Sequence, residues 1–164
     1  MKILSYPDLH PVLGQCEWED RPFSLNGHTS SCLSVAMQPT ARYLATGGSD
    51  SIIALWSVAS HTCQSCRSTK YLARDTKYWI CQRTLIDMVG PVRSISFSFD
   101  GSYIVGGSDE GSGLEIAHVE TGEYVHSIKT SSPCPVVAWH PSRYHLAYMD
   151  LGGLKIVGVD SERK

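Results

Sequence analysis

An internal repeat limits what this chain can fold into more than any other feature. Ser34-Val35-Ala36-Met37-Gln38-Pro39 has counterparts in Ser94-Ile95-Ser96-Phe97-Ser98-Phe99 and in Val136-Val137-Ala138-Trp139-His140-Pro141. The stretch Tyr43 to Val58 likewise returns as Tyr103 to Val119 and as His145 to Val159. Val35 to Ile95 spans 60 residues and Ile95 to Val137 spans 42. Leu44, Ile104 and Leu146 repeat the same 60 and 42. Two independent landmarks with identical offsets mark a repeated structural unit. A unit of about 40–45 residues holding four short strands fits one blade of a propeller, and the longer unit is such a blade with roughly 18 residues added.

Within the first unit, Tyr43 to Thr46 reads as a strand and Ile52 to Val58 as the next. Between them Gly47-Gly48-Ser49-Asp50-Ser51 reads as a tight turn, where glycines permit positive φ and Asp bonds local backbone. Both strands are apolar on both faces, which predicts a hairpin sandwiched between other sheets. The unit's first strand is expected at Cys32 to Met37 and its outer strand, delayed by an insert at 59–78, at Trp79 to Leu85. The second unit runs from Pro91 to about Ile128, with Tyr124 to Lys129 outermost. The third has strands at Val136 to Trp139, Leu146 to Tyr148 and Leu154 to Val159, and no outer strand. Near the start, Lys2-Ile3-Leu4-Ser5-Tyr6 resembles Lys155-Ile156-Val157-Gly158-Val159, the end of a third strand, and Phe23-Ser24-Leu25 reads as its outer strand.

Gly27-His28, Thr46, Asp50 and Trp56 stand where the WD40 family carries its structural tetrad, and the chain resembles that family. The resemblance implies a hydrogen-bonded chain through His28, Thr46, Asp50 and Trp56, because a buried indole N–H and a buried imidazole each need partners. Ala117 and Val157 occupy the Trp position in the other units, so those blades are expected to rest on packing alone. The expected fold is therefore all-β, a WD40-type β-propeller fragment of two full four-stranded blades plus two partial blades. Residues 1–25 hold the end of a partial blade and a loop, 26–89 a blade with its insert, 90–130 a degenerate blade, and 131–164 a partial blade. Neighbouring blades bury each other's faces, so an open array exposes apolar faces at both ends. The expectation is a fragment or short form of a longer propeller, or an array that a partner or second copy completes.

KILSYPDL, PVRSISFSFDGSYIVGGSDE, IAHVETGE and VVAWHP are more specific than a generic blade. Together they resemble the WD-repeat subunits of THO complexes. That resemblance implies a non-catalytic nuclear scaffold for mRNA processing and export, with other subunits of a THO-like complex as partners and RNA reached indirectly. The insert at 59–78 departs from the family pattern.

Composition narrows the remaining classes. A net charge of −2 gives no strong field for nucleic acid or an anionic membrane. No apolar run reaches the ~18 residues of a membrane span. The N-terminus lacks the pattern of a signal peptide, which predicts an intracellular protein. Six cysteines, at 16, 32, 63, 66, 81 and 134, then read as reduced thiols, with Cys32 and Cys81 as buried small hydrophobes on strands.

Three sharper readings compete with a purely structural one. His28 and Asp50 with Thr46 or Ser49 could form a nucleophilic triad, but the chemistry needs an exposed activated hydroxyl and no GxSxG elbow exists. The structural tetrad accounts for the same residues. Cys63 and Cys66 form one CxxC beside His61, with Cys81 as the remaining candidate ligand, and a second ligand pair is lacking; no metal and no cofactor are expected. The insert has a net charge of +3, and Arg67, Lys70, Arg74 and Lys77 with Tyr71 and Tyr78 could contact RNA. The plainer account is a solvated loop. No Gly-rich phosphate cradle is present. A generic WD40 adaptor in another complex is the alternative to the THO-type scaffold.

Overall fold

In the computed structural model, residues 2–3, 23–59, 78–85 and 88–158 are described. They form thirteen strands and, among the described residues, no helix. The first two are β1 (Lys2–Ile3) and β2 (Phe23–Ser24), which pair antiparallel. β3 (Cys32–Met37), β4 (Tyr43–Gly48), β5 (Ile53–Ala59) and β6 (Tyr78–Leu85) make an antiparallel sheet in chain order. β7 (Val92–Phe97), β8 (Tyr103–Ser108), β9 (Gly113–His118) and β10 (Tyr124–Lys129) make a second of the same order. β11 (Val137–Trp139), β12 (His145–Asp150) and β13 (Gly153–Gly158) make a three-stranded third.

The repeat is a repeat of register. Val35 lies opposite Thr46, Ile95 opposite Gly106, and Val137 opposite Tyr148. Leu44 faces Trp56, Ile104 faces Ala117, and Leu146 faces Val157. The sheets stack through two apolar seams. One joins Tyr43, Ala45, Ile53, Leu55 and Leu85 of the first sheet to Val92, Phe97, Ile104, Ala117 and Val119. The other joins Val105, Leu114 and Ile116 to Cys134, Val137, Leu146 and Tyr148. Leu55, Ile104, Leu114 and Leu146 are fully buried, and each contributes about 1.5–3 kcal/mol relative to exposure.

The first strands of the three sheets lie side by side and are joined by side-chain to backbone bonds. Ser34 Oγ donates to the Val92 carbonyl at 3.0 Å, and Gln38 Nε2 donates to the Gly101 carbonyl at 2.7 Å. The Val137 and Trp139 N–H groups donate to Ser94 Oγ at 3.1 Å and Ser96 Oγ at 2.9 Å.

Two details differ from the sequence expectation. Gly47 and Gly48 belong to β4 rather than to the turn, and positive φ falls on Ser51 at 64°. The glycines answer to close approach instead. A Cβ on Gly47 would lie 2.5 Å from Val92 Cγ1, and one on Gly107 2.7 Å from the Cys134 carbonyl oxygen, so both mark where neighbouring sheets touch. The insert is shorter than 59–78, because Ala59 and Tyr78 pair as the last rung of the β5–β6 ladder. Residues 60–77, and the loop read over 7–21, lie outside the described residues.

Both ends of the stack carry apolar surface. Leu33, Val35 and Met37 of β3 are exposed at one end, and Met149, Leu154 and Ile156 at the other.

Candidate functional site

The densest polar arrangement is a buried chain through the first sheet. Trp56 on β5 donates Nε1–H to Thr46 Oγ1 on β4 at 2.8 Å. His28, in the segment between β2 and β3, lies with Nε2 2.7 Å from the same hydroxyl and with Nδ1 3.0 Å from Asp50. Asp50 sits in the β4–β5 hairpin and also accepts the Thr29 N–H at 2.8 Å. An indole is only a donor and a carboxylate only an acceptor. With one proton on the imidazole ring the chain runs one way, with Trp56 donating to Thr46, Thr46 to His28 and His28 to Asp50. Burial pushes the Asp50 carboxyl up, but bonds from His28, Thr29 and Ile52 outweigh it and hold the group below its ordinary value.

Local sequence makes room for this. Gly27 has no space for a Cβ, which would lie 2.5 Å from Trp56 Cη2, and a Cβ on Gly48 would lie 2.6 Å from His28 Nδ1. Leu25, Leu44 and Ala54 enclose Trp56 in a small apolar cluster.

The triad geometry is not formed. Thr46 is 1% exposed and its hydroxyl is engaged on two sides. Ser49 turns away to Ser30 Oγ at 2.7 Å and the Ser31 carbonyl at 3.3 Å.

The second and third sheets do not rest on packing alone, contrary to the sequence expectation. Arg93 on β7 holds Asp109 of the β8–β9 hairpin at 2.6 Å. In the third sheet Asp150 accepts from Ser131 at 2.7 Å, from the Gly152 N–H at 2.8 Å and from Lys155 at 2.5 Å. Lys155 and Ser131 together hold Asp150 down to about 2. Each sheet thus uses a hairpin carboxylate to tie down its neighbourhood, and only the first uses an imidazole and an indole to do so. The sequence signal was an acidic residue in each hairpin; the partners Arg93, Ser131 and Lys155 occupy positions with no common spacing. At the opposite rim Asp100 accepts from Ser98, Ser102 and Tyr144, joining the β7–β8 turn to the β11–β12 turn. Those bonds outweigh its burial and place its carboxyl well below the ordinary range.

Arg67, Lys70, Arg74 and Lys77, and Cys63 and Cys66, lie outside the described residues. Cys81 is exposed rather than buried, Cys32 is half-buried, and Cys134 is the buried thiol. Among the described residues no three His, Cys, Asp or Glu side chains cluster as metal ligands. A groove of about 640 Å³ lies between β10 and the third sheet, lined by Tyr103, His126, Ile128, Trp139, Tyr144 and Val157.

Comparison with known proteins places these features. The family model for the WD domain, G-beta repeat, matches residues 20–57 and 79–112. THO complex subunit 3 of Arabidopsis thaliana is 32% identical over 98% of this chain and 45% of that protein. The WD repeat-containing protein AAC3 of Dictyostelium discoideum is 37% identical over 76% of this chain and 22% of its own length. Among solved structures, the β-propeller domain of Myceliophteria thermophila Cps50 (Swd1) superposes with a TM-score of 0.66 at 21% identity, over 84% of this chain and 43% of that one. The chain therefore spans less than half the length of these relatives.

Proposed function

The chain carries WD40 repeats folded as stacked sheets of a β-propeller, and from that premise we propose that it is a non-catalytic protein-interaction scaffold of a THO-type assembly, acting in nuclear mRNA processing and export. The observation that carries the reading is the 32% identity with THO complex subunit 3, which extends over 98% of this chain rather than over one repeat. The WD40 fold is generally an interaction scaffold, and the polar chain supports that role. His28, Thr46, Asp50 and Trp56 satisfy one another inside the sheet, so they serve rigidity and leave the rims to partners.

Partner recovery tests the proposal. An affinity-tagged chain expressed in its own cells is expected in the nucleus, and it is expected to co-purify with THO-type subunits after RNase treatment. Recovery with a different, stoichiometric protein assembly makes it an adaptor of that assembly instead. Recovery that RNase abolishes makes RNA, rather than protein, the bridge.

A further inference from the structure

The turns that follow β3, β7 and β11 share one rim, and a bond runs from each to the next. Gln38, at the head of the β3–β4 turn, donates to the Gly101 carbonyl of the β7–β8 turn. Tyr144 of the β11–β12 turn donates to Asp100 of the same β7–β8 turn. The three turns therefore form one continuous surface that is already ordered before anything binds to it, which removes part of the cost of association.

Phe99 stands at the centre of that surface. Its sheet packs against a described sheet on either side, so its exposure does not follow from where the chain starts or stops. Phe99 is 36% exposed and Tyr144 40% exposed, with ring centroids 4.9 Å apart and planes tilted by 60°. Tyr103 lies behind them, 5.9 Å from the Tyr144 ring. The N–H groups of Gln38, Ser98 and His140 make the same bond across their turns, so Pro39 and Pro141 are the counterparts of Phe99, and both are exposed. Aromatic residues and arginines are the side chains enriched at protein interfaces.

Charge on these turns favours one kind of partner. Asp100 is engaged by Ser98, Ser102 and Tyr144. Arg143 is exposed and has no carboxylate partner among the described residues. Arg42 pairs with Glu120 at 2.8 Å, but the two side chains are 64% and 46% exposed, and a pair so open to water contributes little and exchanges readily. Glu123 belongs to the β9–β10 turn, toward the outer edge of its sheet. The β5–β6 ladder ends at this rim, beyond the pair Tyr43 and Ser57, so the segment 60–77, with its net charge of +3, leaves and rejoins the sheet here.

We propose that this rim, centred on Phe99 and Tyr144, is a docking surface for an acidic segment of a partner protein. An apolar side chain of the segment packs on the two rings, and its carboxylates pair with Arg143 and Arg42. The inference goes beyond the scaffold reading and holds whichever assembly the chain serves. A protein segment fits better than a nucleic acid. The chain as a whole carries −2, and the prolines beside the rings offer apolar contact without a π face for a base.

The test uses the 164-residue chain and short fluorescein-labelled peptides, read by fluorescence anisotropy. One peptide alternates Asp and Glu with Leu and Trp. In a second, Lys replaces every acid; in a third, Ser replaces every Leu and Trp. A short oligo(U) strand is the fourth probe. The acidic apolar peptide is expected to bind, and the Lys and Ser peptides to bind about tenfold more weakly or worse. Phe99→Ala and Arg143→Glu are each expected to weaken it by about fivefold or more, with unfolding midpoints near the parent's because both side chains are exposed. Val89→Ala, 75% exposed beside Gly111 at the opposite rim, is expected to change nothing. Equal binding of the acidic and Lys peptides, binding of neither, or an affinity that Phe99→Ala and Arg143→Glu leave unchanged overturns the proposal. Binding of oligo(U) in place of the acidic peptide, lost in the same variants, overturns it in favour of RNA. Co-purification with THO-type subunits is read separately, so either reading can fail without the other.

Discussion

Replacing Thr46 with valine removes one hydroxyl and almost no volume, and it keeps the β-branched shape that suits a strand. That hydroxyl is the only atom bonded to both the Trp56 N–H, at 2.8 Å, and the His28 ring, at 2.7 Å. Thr46 is 1% exposed and Trp56 3% exposed, so water does not replace it in the folded state. A buried polar group left without a partner costs about 1–3 kcal/mol. Two such groups, with His28 retaining Asp50, put the loss at about 2–4 kcal/mol for Thr46→Val. With a urea dependence of ~1–3 kcal/mol per molar, the unfolding midpoint falls by on the order of 1–2 M. Tryptophan fluorescence follows the transition, and Thr46→Ser, which keeps the hydroxyl, serves as the comparison. A cycle with Trp56→Phe isolates the bond, because the double variant no longer strands an indole N–H; a coupling of about 1 kcal/mol or more is expected. A midpoint shift below ~0.3 M, or no coupling with Trp56→Phe, refutes the idea that this chain holds the sheet.

Three other outcomes are expected. Gly107→Ala drives a methyl into the Cys134 carbonyl oxygen, 2.7 Å away, and should cost about 1–3 kcal/mol, whereas Gly113→Ala, whose methyl meets nothing closer than 3.6 Å, should melt close to the parent temperature. Asp150 is held down to about 2 from an ordinary 3.8, so its stabilisation is complete above 3.8 and disappears as pH falls through about 2; Asp150→Asn should flatten that part of the acid-unfolding curve. If the insert contacts RNA, changing Arg67, Lys70, Arg74 and Lys77 to glutamine should weaken binding to a single strand and reduce its salt slope by up to ~0.7 per cation; unchanged affinity and slope remove the insert from that role.

Much of the architecture was legible because register leaves a periodic trace. β3 and β10 fall on the residues expected from the repeat, and the ends of β4, β5, β6, β11, β12 and β13 lie within two residues of those expected. The Trp56 position could be carried to Ala117 and Val157 because paired strands move together. The glycines were misread for a physical reason. Gly47 and Gly107 look like turn residues in one dimension, and their reason, a neighbouring sheet within touching distance, exists only in three. The tie between Ser131 and Asp150 was invisible for the same reason. Both residues are common loop polar groups, and nothing local tells that 19 positions of chain bring them within 2.7 Å. The four-residue chain was legible because its residue types are unusual together and have fixed roles as donors and acceptors.

The β5–β6 ladder ends at Ala59 opposite Tyr78, and it is seven pairs long. Residues 60–77 therefore begin and end at two points the sheet already holds together. Closing 18 residues instead of about 4 raises the entropic cost by only about 1.3 kcal/mol, because that cost grows with the logarithm of length. Added chain at this corner thus taxes the protein less than one poorly chosen core residue does. The rim beyond β5 and β6 is a place where a lineage can lengthen this protein and leave its folding nearly unchanged, while the glycine contacts between the sheets admit not even a methyl group.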